Sequence, residues 1–417
     1  MKRYLLVWLT VTASLLMGVA AFNLLVDPYR IFHFIDKPGF NHIKPQAGPH
    51  GAMVKKYGVS RIGPGGLILG NSRAEVGFDP AYSAWPEQAY PAFNLALPGT
   101  GTSTSLASLK QVLAEQKKTN ANRLKVVVWG VDYMDFLVEA KSRSDLAASA
   151  SDDSDNTVSL TQWLRDYTES LATMAALQDS VQTVINQRNP FASDLTEQGF
   201  NPMREYIKIT AEESYWAVFR AKDREGIKAY LRRPKSISDA DGRSTAVSDL
   251  ETVISLCKDQ GIALHLVMYP YHAHLLETLK ITGHWANYET WKRKMVAVVD
   301  ASVKQHRAGQ LSLWDFSGFN PLTAENIPPK QDKQTRMRWY WEAGHFKSAL
   351  GNLMLDRIFD RQTDFPEFGV LLDPSNIDRQ ITSIQAQEAD YRRQHVREID
   401  ELEQMAAETK NAMRPRF

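Results

Sequence analysis

The sequence predicts an α/β protein organised on a five-stranded parallel sheet, and three observations carry that prediction. Five short apolar runs (67–69, 92–95, 125–131, 263–269 and 311–315) lack the alternation of a half-exposed strand, as expected of strands covered on both faces. Stretches with apolar residues at helical spacing stand between them, the rhythm of a parallel sheet. The runs stop on small or polar residues, and in an open parallel sheet ligands bind beyond the carboxyl ends of the strands.

The elements follow in order. Residues 4–26 are almost wholly apolar and uncharged, long enough for a bilayer-crossing helix, which needs about 20 residues. Lys2 and Arg3 would hold its amino end in the cytoplasm, leaving the rest of the chain outside. A cleaved signal peptide is the rival reading. An uncleaved anchor over 1–28 is favoured, because Phe22, Leu24, Leu25 and Val26 extend the run past Ala20-Ala21. Residues 27–57, rich in Pro, Gly and His, read as an irregular exit segment. The α/β domain is expected over 29–363. Its helices are predicted at 102–116 (Leu106, Leu109, Leu113), 246–260 (Val247, Leu250, Val253, Ile254, Cys257), 291–305 and 345–359 (Leu350, Leu353, Met354, Ile358). Residues 140–245 break the rhythm and read as an insertion. It comprises a small, polar, acidic loop at 142–155, then helices at 160–186 and 212–231. Residues 364–417 form a charged carboxyl-terminal segment whose near-heptad pattern is interrupted by Glu388 and His395. It is expected as one helix packed on the domain.

Composition narrows the function. The formal net charge of +1 gives no chain-wide case for nucleic-acid binding, and the single cysteine, Cys257, excludes an intrachain disulfide.

The chemistry is expected at the strand ends. The first strand stops on Gly70-Asn71-Ser72, a turn that would lift a serine hydroxyl above the sheet. A serine is a poor nucleophile until a base takes its proton. His345 can be that base, and Glu342, three residues earlier, can orient it. Gly99, in the loop after the second strand, can aim its N–H at an oxyanion beside the N–H of Ser72. Asn94, Asp132 and His272 fall at other strand ends and are expected to meet substrate. The aromatic run Trp339-Tyr340-Trp341 lines either a sugar site or the core. His272 and His274 suggest a metal, but residues two apart on a helix point to different sides, so none is expected.

Taken together, Gly-Asn-Ser, the block from Asn94 to Gly99, Gly130-Val131-Asp132 and Glu342-Ala343-Gly344-His345 resemble the ordered blocks of the SGNH (GDSL-like) hydrolase superfamily. With an amino-terminal anchor, the chain is similar to membrane-anchored members that transfer acyl groups onto cell-surface polymers, such as the alginate acetylation proteins and the D-alanyl lipoteichoic acid transfer protein. The resemblance implies a flavodoxin-like three-layer sandwich. By position it makes Ser72 the nucleophile, His345 the base, Glu342 its acid partner and Gly99 an oxyanion donor. It departs at Glu342, where Asp is usual, and at Asp132, where an Asn donor is usual; an ionised carboxylate only accepts. It implies an extracytoplasmic acyltransferase or esterase at the cytoplasmic membrane, with no soluble cofactor, a glycan or polysaccharide acceptor and a membrane acyl-donor protein. The competing expectation is a catalytically silent scaffold in an envelope polysaccharide machine.

Overall fold

The computed structural model describes residues 1–119, 123–138, 160–303 and 310–413. The chain begins with α1 (Lys2–Val26), α2 (Gly51–Ile62), β1 (Gly66–Leu69), α3 (Ser72–Gly77), β2 (Ala92–Asn94), α4 (Thr102–Lys118) and β3 (Val126–Val131). Among the described residues, five helices follow before the next strand: α5 (Leu160–Ala172), α6 (Met174–Ile185), α7 (Arg204–Glu213), α8 (Tyr215–Arg232) and α9 (Thr245–Asp259). Then come β4 (Ala263–Met268), α10 (Ala273–Ile281), α11 (Trp285–Val303), β5 (Leu311–Asp315), β6 (Tyr340–Glu342), β7 (His345–Phe346), α12 (Ser348–Ile358) and β8 (Val370–Leu371). The last elements are α13 (Ile377–Gln394) and α14 (Val396–Ala412). The loop expected at 142–155 lies outside the described residues.

The chain forms two compact units, one of residues 1–62 with 155–208, the other of 63–154 with 209–417. The second unit holds the sheet, in the order β2-β1-β3-β4-β5-β8. The first five of these strands are parallel, at the expected places, and β1 and β3 are buried along their whole length. The sheet therefore has six strands rather than five. β8 pairs antiparallel to β5 through only two residues, too short a run to show periodicity. The parallel strands end on one edge, so the segments after β1, β2, β3 and β4 share it.

The carboxyl-terminal segment is two helices, not one. The break falls at His395, whose ring stacks on Tyr391 at 4.0 Å and whose Nδ1 bonds the Tyr391 carbonyl oxygen at 3.0 Å. Ile381, Ile384, Tyr391, Ile399 and Leu402 are buried.

In the first unit, α1 is long and apolar enough to cross a membrane, and its most apolar stretch has no buried residue. Its carboxyl end is capped: Asn41 Nδ2 donates to the Val26 carbonyl oxygen at 3.1 Å, and Lys44 Nζ donates to the same oxygen at 2.6 Å. The exit segment is irregular only as far as His50. α2 follows, with Val54 and Val59 buried, a helical face that the surrounding Gly, Pro and His had obscured.

Candidate active site

Gly70 makes the turn that lifts Ser72 off β1. Its φ is +137°, and a Cβ there would lie 2.6 Å from the Tyr269 hydroxyl and 3.0 Å from the Gly130 carbonyl oxygen, so only glycine fits. Asn71 then caps α3. Its side-chain oxygen accepts the Arg73 N–H at 3.1 Å, and its Nδ2 donates to Asp132 Oδ2 at 2.8 Å. Ser72 is thereby held as the first residue of α3, on the edge where the strands end.

His345 reaches the same edge from the β6–β7 hairpin. The sequence spacing placed Glu342 and His345 on one turn at the start of a helix. The turn is instead the hairpin tip, with Ala343 and Gly344 reversing the chain so that Glu342 pairs across with His345. Helix α12 begins three residues later. His345 Nε2 lies 2.8 Å from Ser72 Oγ, its Nδ1 bonds Glu342 Oε1, and Glu342 Oε2 accepts the Gly344 N–H at 2.8 Å. With Nδ1 facing an acceptor, the neutral ring carries its proton there, leaving Nε2 to receive the serine proton.

The electrostatics suit this arrangement. Burial opposes ionisation of Glu342. The charge and hydrogen bond of His345, the Gly344 N–H and the Arg73 guanidinium together outweigh it and hold the carboxyl at about 2. The imidazole side chain is 25% exposed while Glu342 is 4% exposed, so the ring can be reached and the carboxylate is shielded.

Gly99 has φ +71° in the loop after β2, a left-handed turn that favours glycine. The Leu97 N–H donates to the Gly70 carbonyl oxygen at 3.0 Å, which ties this loop to the turn that carries Ser72. The N–H groups of Ser72 and Gly99 have no backbone partner among the described residues. A cavity of about 210 Å³ borders the imidazole, with Arg73, Asp223, Tyr230, Thr278, Glu342 and His345 in its wall.

No family model matches this chain, and no curated protein is significantly similar to it.

Three expected substrate residues serve the framework instead. Asn94 is fully buried; its Nδ2 donates to the carbonyl oxygens of Ala74 and Phe78, both at 2.9 Å, and its Oδ1 accepts the Ala96 N–H at 3.1 Å. It pins α3 to β2, and its full burial keeps it from a ligand. His272 is 1% exposed; its Nε2 bonds the Glu325 carbonyl oxygen at 2.9 Å and its Nδ1 accepts the His274 N–H at 3.2 Å, capping α10. Burial above all, with the neighbouring His274, pushes its pKa down to about 3, so it is neutral and structural. Asp132 is 1% exposed and accepts from Tyr271 OH at 2.6 Å, from the Met134 N–H at 3.1 Å, and from Asn71. It also forms an ion pair with Arg73. Burial would raise its pKa, but Arg73 and these donors prevail and keep it ionised, so it holds Arg73 rather than an oxyanion.

Of the aromatic run, Trp339 and Tyr340 are buried, whereas Trp341 is half-buried under Lys347 Nζ, 4.3 Å from its ring. No group of three or more His, Cys, Asp or Glu among the described residues is placed to hold a metal ion.

The sequence reading missed Arg73. Its Nη1 meets Asp132, its Cζ sits 5.2 Å from the Tyr271 ring, and its charge reaches Glu342. A signal existed: a carboxylate at the end of a buried strand needs a cation, and Arg73 follows Ser72 directly.

Proposed function

We propose that this protein is a membrane-anchored, extracytoplasmic serine acyltransferase or esterase acting on acyl esters of envelope or exopolysaccharide. The observation that supports it is the relay Ser72–His345–Glu342, in which a nucleophile, base and orienter from distant parts of the chain stand in hydrogen-bond order. On this reading the five parallel strands are the sheet of an SGNH-like three-layer sandwich, with β8 added at its edge.

Ser72 Oγ attacks the acyl carbonyl carbon while its proton passes to His345 Nε2. The N–H groups of Ser72 and Gly99 receive the developing oxyanion. The ester C–O bond breaks, and the leaving alcohol takes the proton from His345, giving an acyl-Ser72. A second alcohol, or water, gives its proton to His345 and attacks that ester; the acyl–Oγ bond breaks, and Ser72 Oγ takes the proton back from His345. A sugar hydroxyl as the second alcohol makes the enzyme a transferase, and water makes it an esterase. Glu342 stabilises the imidazolium in both halves. Helix α1, with Lys2 and Arg3 at its amino end, keeps the enzyme outside the membrane beside a membrane acyl donor.

The test is full-chain protein with p-nitrophenyl acetate and an O-acetylated polysaccharide, compared with Ser72→Ala. The proposal expects release of acetate by the parent, and a correctly folded variant that has lost it. Equal turnover by both would remove Ser72 from the chemistry. A parent inert on esters whose membrane complexes dissolve on removal of 377–417 would favour a scaffold.

A further inference from the structure

The first unit carries an apolar surface that the catalytic reading does not use. We propose that the α5–α6 hairpin is a second membrane contact, its tip at residues 171–177 lying in the boundary between lipid headgroups and acyl chains beside α1. This rests on α1 crossing the bilayer, and is independent of the chemistry assigned to Ser72.

Contacts along α6 give its direction. At one end, Gln187, just beyond α6, donates through Nε2 to the Ile43 carbonyl oxygen at 2.7 Å, next to Lys44, which caps α1. Further back, Ser180 Oγ donates to Asn23 Oδ1 at 2.8 Å, and Asn23 Nδ2 donates to the Leu171 carbonyl oxygen at 2.9 Å. Passing from Gln187 to Ser180 thus runs from the carboxyl end of α1 towards its middle. Met174, six residues further, lies roughly 9 Å beyond the level of Asn23 at about 1.5 Å per residue. Val19 and Ala20 of α1 are half-buried there, whereas Leu15, Leu16 and Met17 before them are exposed.

That level is where the bilayer should end. About 20 residues cross the hydrocarbon core, which from Tyr4 brings the chain to Asn23. The hairpin satisfies the Asn23 amide there and extends past it by a distance matching the roughly 5–10 Å depth of interfacial helices.

The chemistry of the tip fits lipid. Residues 171–177 read Leu-Ala-Thr-Met-Ala-Ala-Leu, without a charge. Met174 is 76% exposed, and Ala172 and Ala175 beside it are exposed as well. The one charge on α6, Asp179, accepts a hydrogen bond from Tyr29 OH at 2.6 Å. An exposed apolar patch continuous with a membrane helix is covered most simply by the same bilayer.

The test places an environment-sensitive fluorophore on Met174→Cys, and separately on Ala175→Cys, in full-chain protein reconstituted in phosphatidylethanolamine–phosphatidylglycerol vesicles. Burial pushes the Cys257 thiol up to about 12, so labelling is confined to the new site. Labels on Leu15→Cys, in α1, and Glu251→Cys, an exposed residue of α9, set the lipid and water limits. The proposal expects blue-shifted emission at both tip sites and loss of emission to nitroxide lipid comparable with the Leu15→Cys label. Tip labels quenched by aqueous iodide like the Glu251→Cys label, while the Leu15→Cys label responds to lipid, would overturn it. Shielding of the tip only in native membranes would overturn it in favour of a protein partner. A Leu15→Cys label that sees water would remove the anchor and this inference with it.

Discussion

Two histidines of the second unit direct Nδ1 at a buried carboxylate, and one of the two also meets a serine hydroxyl. His345 bonds Glu342 on one side and has the Ser72 hydroxyl 2.8 Å from Nε2, with a quarter of its side chain exposed. His274 bonds Asp223 at 3.2 Å, is 1% exposed, and stands edge-on to Phe219 at 5.9 Å. Their carboxylates differ too. Asp223 shares its charge with Arg220, 3.1 Å away, whereas Glu342 spends its oxygens on His345 and the Gly344 N–H. A histidine–carboxylate pair is thus no signature of catalysis by itself. What the second ring nitrogen meets, and whether a ligand can reach it, decides the role.

The contrast can be broken by substitution, and the largest effect belongs to Ser72→Ala. Ester turnover should fall by about 10⁴-fold or more, as when a triad nucleophile is removed, with the melting temperature retained. Glu342→Gln comes next. An amide can present its N–H to Nδ1 and favour the wrong tautomer, so kcat should fall by about 10³-fold with KM little changed. His274→Gln should behave oppositely. Turnover per folded molecule should stay within about 3-fold, while unfolding by denaturant reports a loss of about 1–3 kcal/mol from the disturbed Asp223 network. Comparable losses of kcat in Glu342→Gln and His274→Gln would erase the distinction.

The smallest effect concerns Asp135, beside Gly101 at the same rim. Burial, then the neighbouring Asp132 charge, raises its carboxyl to about 8 despite Arg73 and Arg233, the reverse of Glu342. A raised folded pKa means that the folded state holds the proton after the unfolded chain has lost it. The stability this contributes is present below the ordinary carboxylate range and is lost as pH rises through about 8. Asp135→Asn should therefore flatten the decline in melting temperature between pH 5 and pH 9, a window set by that linkage. An unchanged slope would show Asp135 to be solvated.

How much could be read in advance differs by region for physical reasons. The five parallel strands declare themselves because burial on both faces demands continuous apolar runs, and Gly70-Asn71-Ser72 declares the turn because only glycine fits its first position. The His345–Glu342 pair was legible by spacing, but not its hairpin setting, since a two-residue strand leaves no periodicity. Asn94, Asp132 and His272 were misplaced for a common reason. Position at a strand end says that a polar side chain is near the rim, not whether neighbouring backbone groups consume it. Asn94 is taken by α3, His272 by the start of α10, and Asp132 by Arg73 and Tyr271. Only three-dimensional hydrogen-bond accounting separates such residues from free ones. β8 and the break at His395 escaped because each depends on tertiary partners rather than local pattern.

The most direct measurement is labelling of the full-chain protein by a serine-reactive fluorophosphonate, with the adduct mapped by peptide mass spectrometry. The relay predicts one modified residue, Ser72, and a labelling rate reduced by about 10²-fold or more in a folded His345→Ala variant, the scale of a lost general base. An unmodified Ser72, or a rate indifferent to the imidazole, would contradict the account.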